Sequence, residues 1–114
     1  MPRVIPWIDQ ATADALRVLG GQIREARHAR KWTAEDLGER VGVTGRTVTA
    51  IESGKPTVAV GTVLRTALVV GVDLFEASSP EEIARLRRRG EERLALIPRR
   101  TFASTSTVAN DSAF

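Results

Sequence analysis

Arg46 is the residue whose type and spacing best suit sequence-reading chemistry. It lies in the run Thr44-Gly45-Arg46-Thr47-Val48-Thr49-Ala50-Ile51, where the apolar residues Val48 and Ile51 recur three apart. On a helix those two share one face, which leaves Gly45, Arg46, Thr47, Thr49 and Ala50 outward. Apart from the arginine, these outward residues are small or hydrogen-bonding. A guanidinium on such a face can donate two hydrogen bonds to guanine O6 and N7, worth about 1–3 kcal/mol of discrimination.

Other chemistries lack their residues. The chain has no cysteine, which excludes a disulfide scaffold, a thiolate zinc site and a cysteine nucleophile. His28 is the one histidine, so no imidazole cluster can hold a metal. Glu35 with Asp36, and Glu91 with Glu92, are adjacent pairs that diverge on a helix, and no nucleophile and base accompany them. The sequence therefore predicts a protein that is not an enzyme and uses neither metal nor cofactor.

An outward arginine needs a helix pinned from behind, and the surrounding residues supply one. Thr33 is a good N-cap for a short helix, Ala34 to Val41, with Glu35 and Asp36 in its first turn, where the helix dipole favours negative charge. Leu37 and Val41 face inward together, and Gly42 supplies a left-handed stop. Thr44 caps the next helix, Gly45 to Glu52, which Ser53-Gly54-Lys55-Pro56 ends sharply. Upstream, helical periodicity runs from about Thr12 to Arg30 with Leu16, Leu19, Ile23 and Ala26 on one face. Gly20 and Gly21 weaken its middle by up to about 1 kcal/mol each, so a bend or late start is expected there.

Downstream, a fourth helix is predicted over about Val60 to Val70, with Val63, Leu64, Ala67 and Leu68 inward and a stop at Gly71. Asp73 to Ala77 reads as a short fifth helix burying Leu74 and Phe75. Ser79-Pro80-Glu81-Glu82 opens a sixth with a cap, a proline in first position and a capping-box glutamate, running to about Ile97. Trp32, just before the Thr33 cap, reads as a staple of the second helix onto the core. Trp7 suits packing across a dimer partner. The expected fold is all-α: a five-helix domain over 11–77, an extended arm over 1–10, an added C-terminal helix over 78–98 and a flexible tail over 99–114.

At 114 residues the chain supports one domain with extensions, and 42 % hydrophobic residues make its body globular rather than disordered. The net charge of +3 is a weak pointer to nucleic acid, so placement matters more. Arg24, Arg27, Arg30 and Lys31 close the first helix; of these Arg24, Arg30 and Lys31 suit either a solvated face or phosphate contacts. Arg85, Arg87, Arg88 and Arg89 read as a solvated or partner-facing helix rather than as DNA contacts. Its thin apolar stripe (Ile83, Leu86, Leu94, Ile97) suits a dimer seam or a partner's groove. No stretch approaches the roughly 20 apolar residues of a membrane span, and MPRVIPWIDQ is not a signal peptide, so a cytoplasmic protein is expected.

Two short helices joined by Gly42-Val43 after a longer basic one have helix-turn-helix geometry. The run TAEDLGERVGVTGRTVTAIESGKP resembles the helix-turn-helix of the lambda-repressor-like (Cro, XRE) family. The matching features are Leu37, Gly42-Val43-Thr44, Thr47-Val48 and the exit Ile51-Glu52-Ser53-Gly54. The flanking runs LGGQIREARHARKWT and KPTVAVGTVLRTALVVGVDLF are similar to HipB-like antitoxins, which repress their own operon and bind a HipA-type kinase toxin encoded beside them.

The resemblance implies roles residue by residue. Gly45, Arg46, Thr49 and Ala50 fall on base-reading positions; Thr33, Ala34, Thr44, Thr47 and Lys55 fall on phosphate contacts, where helix N-termini suit a phosphate oxygen. Arg27 and Glu52 fall on a structural ion pair. Ala34 stands where the family often has glutamine, and long polar residues are thin on the recognition helix, which leaves Arg46 most of the direct readout and shape the rest. The implied protein is a bacterial, nucleoid-associated repressor, homodimeric on an inverted-repeat operator and the antitoxin partner of a HipA-like kinase. The alternatives are a stand-alone XRE-family regulator without a toxin, or a protein-interaction module that has lost DNA binding.

Overall fold

A chain of this composition needs explicit helix starts, and the side chains provide them. The computed structural model describes residues 7–99. Asp9 accepts the backbone N–H of Thr12 at 2.8 Å and so opens α1 (Gln10–Ala29). Hydrogen bonding by Thr12 holds the Asp9 carboxyl below its ordinary value. Thr33 opens α2 (Ala34–Val41) and Thr44 opens α3 (Gly45–Glu52). The α4 helix (Val60–Val70) has no side-chain cap and ends at Gly71, whose φ of 97° is left-handed. Ser79 caps α5 (Pro80–Ala95), with Pro80 in the first turn. Among the described residues the fold is all-α, with five helices and no strand.

The structure divides into two compact units between Ser78 and Ser79. In the first, α2 packs on α3 and α4, and α1 packs on α3 and α4. Their shared core is Ile23, Leu37, Val41, Val48, Ile51, Ala67 and Val70, with Leu19, Ala26, Trp32, Val43, Val58 and Val63 partly buried around it. The second unit contributes α5, which has no buried residue.

The first helix differs from expectation in two ways. It starts at Gln10, inside the segment read as an arm, because Asp9 is a cap, and it runs through Gly20 and Gly21 without a break. Gly20 is a contact point rather than a weakness. A Cβ there would lie 2.5 Å from the backbone oxygens of both Ile51 and Glu52, so α1 can lie against the end of α3 only with glycine at this position. Residues 1–6 of the expected arm and 100–114 of the expected tail lie outside the described residues.

The predicted helix over Asp73–Ala77 is absent. Phe75 and Glu76 instead take left-handed φ of 57° and 59°, and Ala77 N–H bonds Leu74 O at 3.0 Å to close a tight turn. Five residues would return almost no helical hydrogen bonds for the cost of nucleation. The turn keeps Leu74 against the core but leaves Phe75 70 % exposed, so Phe75 is not the core residue expected. On α4 the inward row is Thr66, Ala67 and Val70 rather than one that includes Leu68, which is 47 % exposed. Buried Thr66 is satisfied within its own helix, its hydroxyl donating to Thr62 O at 2.7 Å.

Candidate nucleic-acid interface

The turn between α2 and α3 is built to be short. Gly42, at φ 95°, and Val43 both donate backbone N–H groups to Gly38 O, at 2.7 and 2.9 Å. A Cβ on Gly38 would sit 2.5 Å from Val43 O, so the tight approach requires glycine there as well. Thr33 and Asp36 close a reciprocal box at the start of α2. The Thr33 hydroxyl accepts Asp36 N–H at 3.0 Å and the Asp36 carboxylate accepts Thr33 N–H at 2.8 Å. These bonds, the backbone N–H of Thr33 foremost, hold the Asp36 carboxyl below its ordinary value.

Three contacts anchor α3 from behind. Val48 and Ile51, 0 % and 3 % exposed, enter the core beside Leu37 and Val41. Gly20 admits the backbone at the end of α3. The third contact is the ion pair. Arg27 Nε donates to Glu52 Oε2 at 2.7 Å and Arg27 Nη2 to Glu52 Oε1 at 3.0 Å, while Arg27 Nη1 reaches Trp32 O at 2.9 Å. Side-chain exposures of 12 % and 8 % place this two-pronged bridge in a largely dry edge, where it raises the Arg27 pKa further. One guanidinium thus ties α1, the α1–α2 connection and α3 together.

The opposite face of α3 is more open. Arg46 and Thr49 are exposed, Gly45 and Ala50 are half-buried, and Arg46 has no partner among the described residues. The residues that the resemblance assigns to phosphate lie at helix starts or just beyond a helix end. Thr33 and Ala34 stand at the start of α2, Thr44 and Thr47 in the first turn of α3, and Lys55 is exposed just beyond its end. The Thr44 oxygen accepts Thr47 N–H at 3.1 Å, and the two hydroxyls lie 3.2 Å apart, which orders both at the helix start.

The structure adds residues that sequence reasoning passed over. The Glu35 carboxylate lies against Gly45, 2.7 Å from where a Cβ would be, and so adds a negative charge beside the amino end of α3. Its place in the first turn of α2 was legible; its reach across the turn was not. Arg65 Nε donates to Val41 O at 2.9 Å and Arg30 Nε to Val70 O at 2.9 Å, each meeting a terminal carbonyl of a helix where the dipole favours positive charge. Arg30, read as either solvated or phosphate-binding, is therefore engaged internally. Its guanidinium also lies 5.0 Å from the Trp32 ring centroid, and that of Arg40 lies 4.1 Å from it. No group of three or more His, Cys, Asp or Glu among the described residues is arranged to hold a metal ion.

Residues 18–86, more than half of the sequence, match the family described as a helix-turn-helix domain. The chain belongs to the helix-turn-helix domain family. No curated protein and no solved structure matches it significantly. The matched region of this helix-turn-helix protein takes in α2, the Gly42 turn and α3. Membership supports a DNA-binding regulator, and no helix among the described residues is long and apolar enough to cross a membrane.

Proposed function

We propose that this helix-turn-helix protein is a sequence-specific transcriptional repressor that binds an inverted-repeat operator as a homodimer. The observation that carries the reading is the division of α3, with Val48 and Ile51 locked inward and Arg46 exposed and without a partner among the described residues. In this reading Arg46 donates to a guanine edge, while Gly45, Ala50 and Thr49 allow close approach and Thr49 adds a hydroxyl. Thr33, Ala34, Thr44, Thr47 and Lys55 bind flanking phosphates and fix the register. One such domain covers one half-site, so two copies are needed for an operator whose halves lie about one helical turn apart.

The likeness of the runs around the motif to HipB-like antitoxins extends the proposal. The repressor is also the antitoxin of a HipA-like kinase encoded beside it, acts in the bacterial cytoplasm at the nucleoid, and autoregulates that operon. A kinase gene next door whose product co-purifies with the repressor supports this extension; a neighbourhood without one reduces the role to a stand-alone regulator.

Titration of the protein into DNA from its own upstream region and into a scrambled duplex, over a range of salt, tests the reading. Saturable binding that prefers the native duplex and weakens steeply with salt is expected. Equal, salt-insensitive or absent binding would instead favour a module kept for protein contacts.

A further inference from the structure

The α5 helix carries an apolar stripe that is largely exposed. Leu86, Leu94 and Ile97 are 37 %, 63 % and 52 % exposed, and Ile83 is half-buried. Ile97 continues the last turn, its N–H bonding Leu94 O at 3.0 Å. These residues are symmetric about Gly90: Leu86 and Leu94 lie four residues to either side of it, and Ile83 and Ile97 seven. At 3.6 residues per turn, all five positions fall within an arc of about 80°. Gly90 has nothing within 4 Å of its absent Cβ, so its outer side is open to a close neighbour.

We infer that α5 pairs antiparallel with α5 of a second copy of this chain, about a two-fold axis at Gly90. The pairing sets Leu86 of each copy against Leu94 of the other and Ile83 against Ile97, with the two glycines at the crossing. A parallel pair stacks like residues whatever their spacing, so the symmetry about Gly90 serves only the antiparallel arrangement. The inference rests on the homodimeric reading and names its seam.

The charges predict how the seam responds to salt. Arg87 and Glu91, bonded at 2.8 Å, lie on one flank of the stripe. Arg85, Arg89 and Arg93 form a row on the other, where among the described residues only Arg85 is ion-paired, with Glu82 at 3.9 Å. The two-fold brings both arginine rows to the same side, so self-association tightens as salt screens them, opposite to the trend for DNA binding.

Sedimentation equilibrium of the full chain, with Leu86→Glu, Leu94→Lys and an equimolar mixture of the two, tests the seam; far-UV circular dichroism checks that each variant keeps its helices. The wild type should dimerise reversibly and more tightly at higher salt. Each variant alone should associate at least about tenfold more weakly, a change of 1.4 kcal/mol. The mixture should regain much of the loss, because in the antiparallel pair the new glutamate of one chain meets the new lysine of the other while the remaining leucines still meet. Single variants that dimerise like the wild type, or a mixture that regains nothing, would overturn the antiparallel seam and leave the homodimeric reading standing. A wild type that stays monomeric both free and on operator DNA would overturn both.

Discussion

The two faces of α3 are made from the same eight residues and differ in what they are bound to. Behind the helix, Val48 and Ile51 are buried, Gly20 admits its terminal carbonyls, and Arg27 clamps Glu52 with two hydrogen bonds. In front, Arg46 and Thr49 face solvent, and Arg46 has no partner among the described residues. The difference explains how a helix too short to be stable alone can present an arginine in fixed register: packing on one side replaces the stability that length would give. It also separates two kinds of charged residue that look alike in sequence. Arg27, Arg30 and Arg65 are engaged by carboxylate or carbonyl oxygens within the fold, whereas the exposed side chains of Arg46 and Lys55 have no partner among the described residues.

Breaking the rear face should cost stability. Glu52→Ala leaves the nearly buried Arg27 without its carboxylate and should lower stability by about 3 kcal/mol, read as a fall in Tm of roughly 10 °C or more. An unchanged Tm would show that the pair is not structural. Gly20→Ala drives a methyl against two backbone oxygens and should cost about 1–3 kcal/mol, while Gly21→Ala, which has open space, should be neutral or slightly stabilising. Equal effects at the two glycines would contradict the close approach of α1 to α3. On the front, Lys55→Ala should leave Tm alone, weaken binding evenly across DNA sequences and shallow the salt slope by about one; a loss confined to particular sequences would contradict a phosphate role.

The smallest effect belongs to the α2 cap. The Asp36 carboxyl is held below its ordinary value, so it stabilises the fold at neutral pH, and that contribution is lost as pH falls through its lowered folded value. An acid titration followed by circular dichroism should show a shallower loss of stability for Asp36→Asn than for the wild type. Superimposable curves would mean that the cap does not couple to folding.

The sequence made the helix-turn-helix legible because its signals are local. Thr33, Gly42, Thr44 and Gly71 mark boundaries through their own backbone chemistry, and α2, the start of α3 and the end of α4 lie where those signals place them. Failures came where distant chain decides. Gly20 reads as a weak helix position until the end of α3 is set against it. Asp73 to Ala77 has helical spacing, but so short a segment yields to a turn that keeps Leu74 on the core and releases Phe75. The candidate interface was legible as a set of residue types. The Arg27–Glu52 pair was legible through the resemblance, whereas the inward turn of Arg30 onto Val70 O needed the third dimension.

The most direct test is selection of bound sequences from a randomised duplex library by the wild type and by Arg46→Ala. If the front of α3 reads DNA, the wild type enriches a two-fold-symmetric site containing guanine. Arg46→Ala should then lose preference at that one position per half-site and bind the wild-type site about 1–3 kcal/mol more weakly, with Tm unchanged. The same enriched site from both proteins, at equal affinity, would remove Arg46 from the readout and contradict the account.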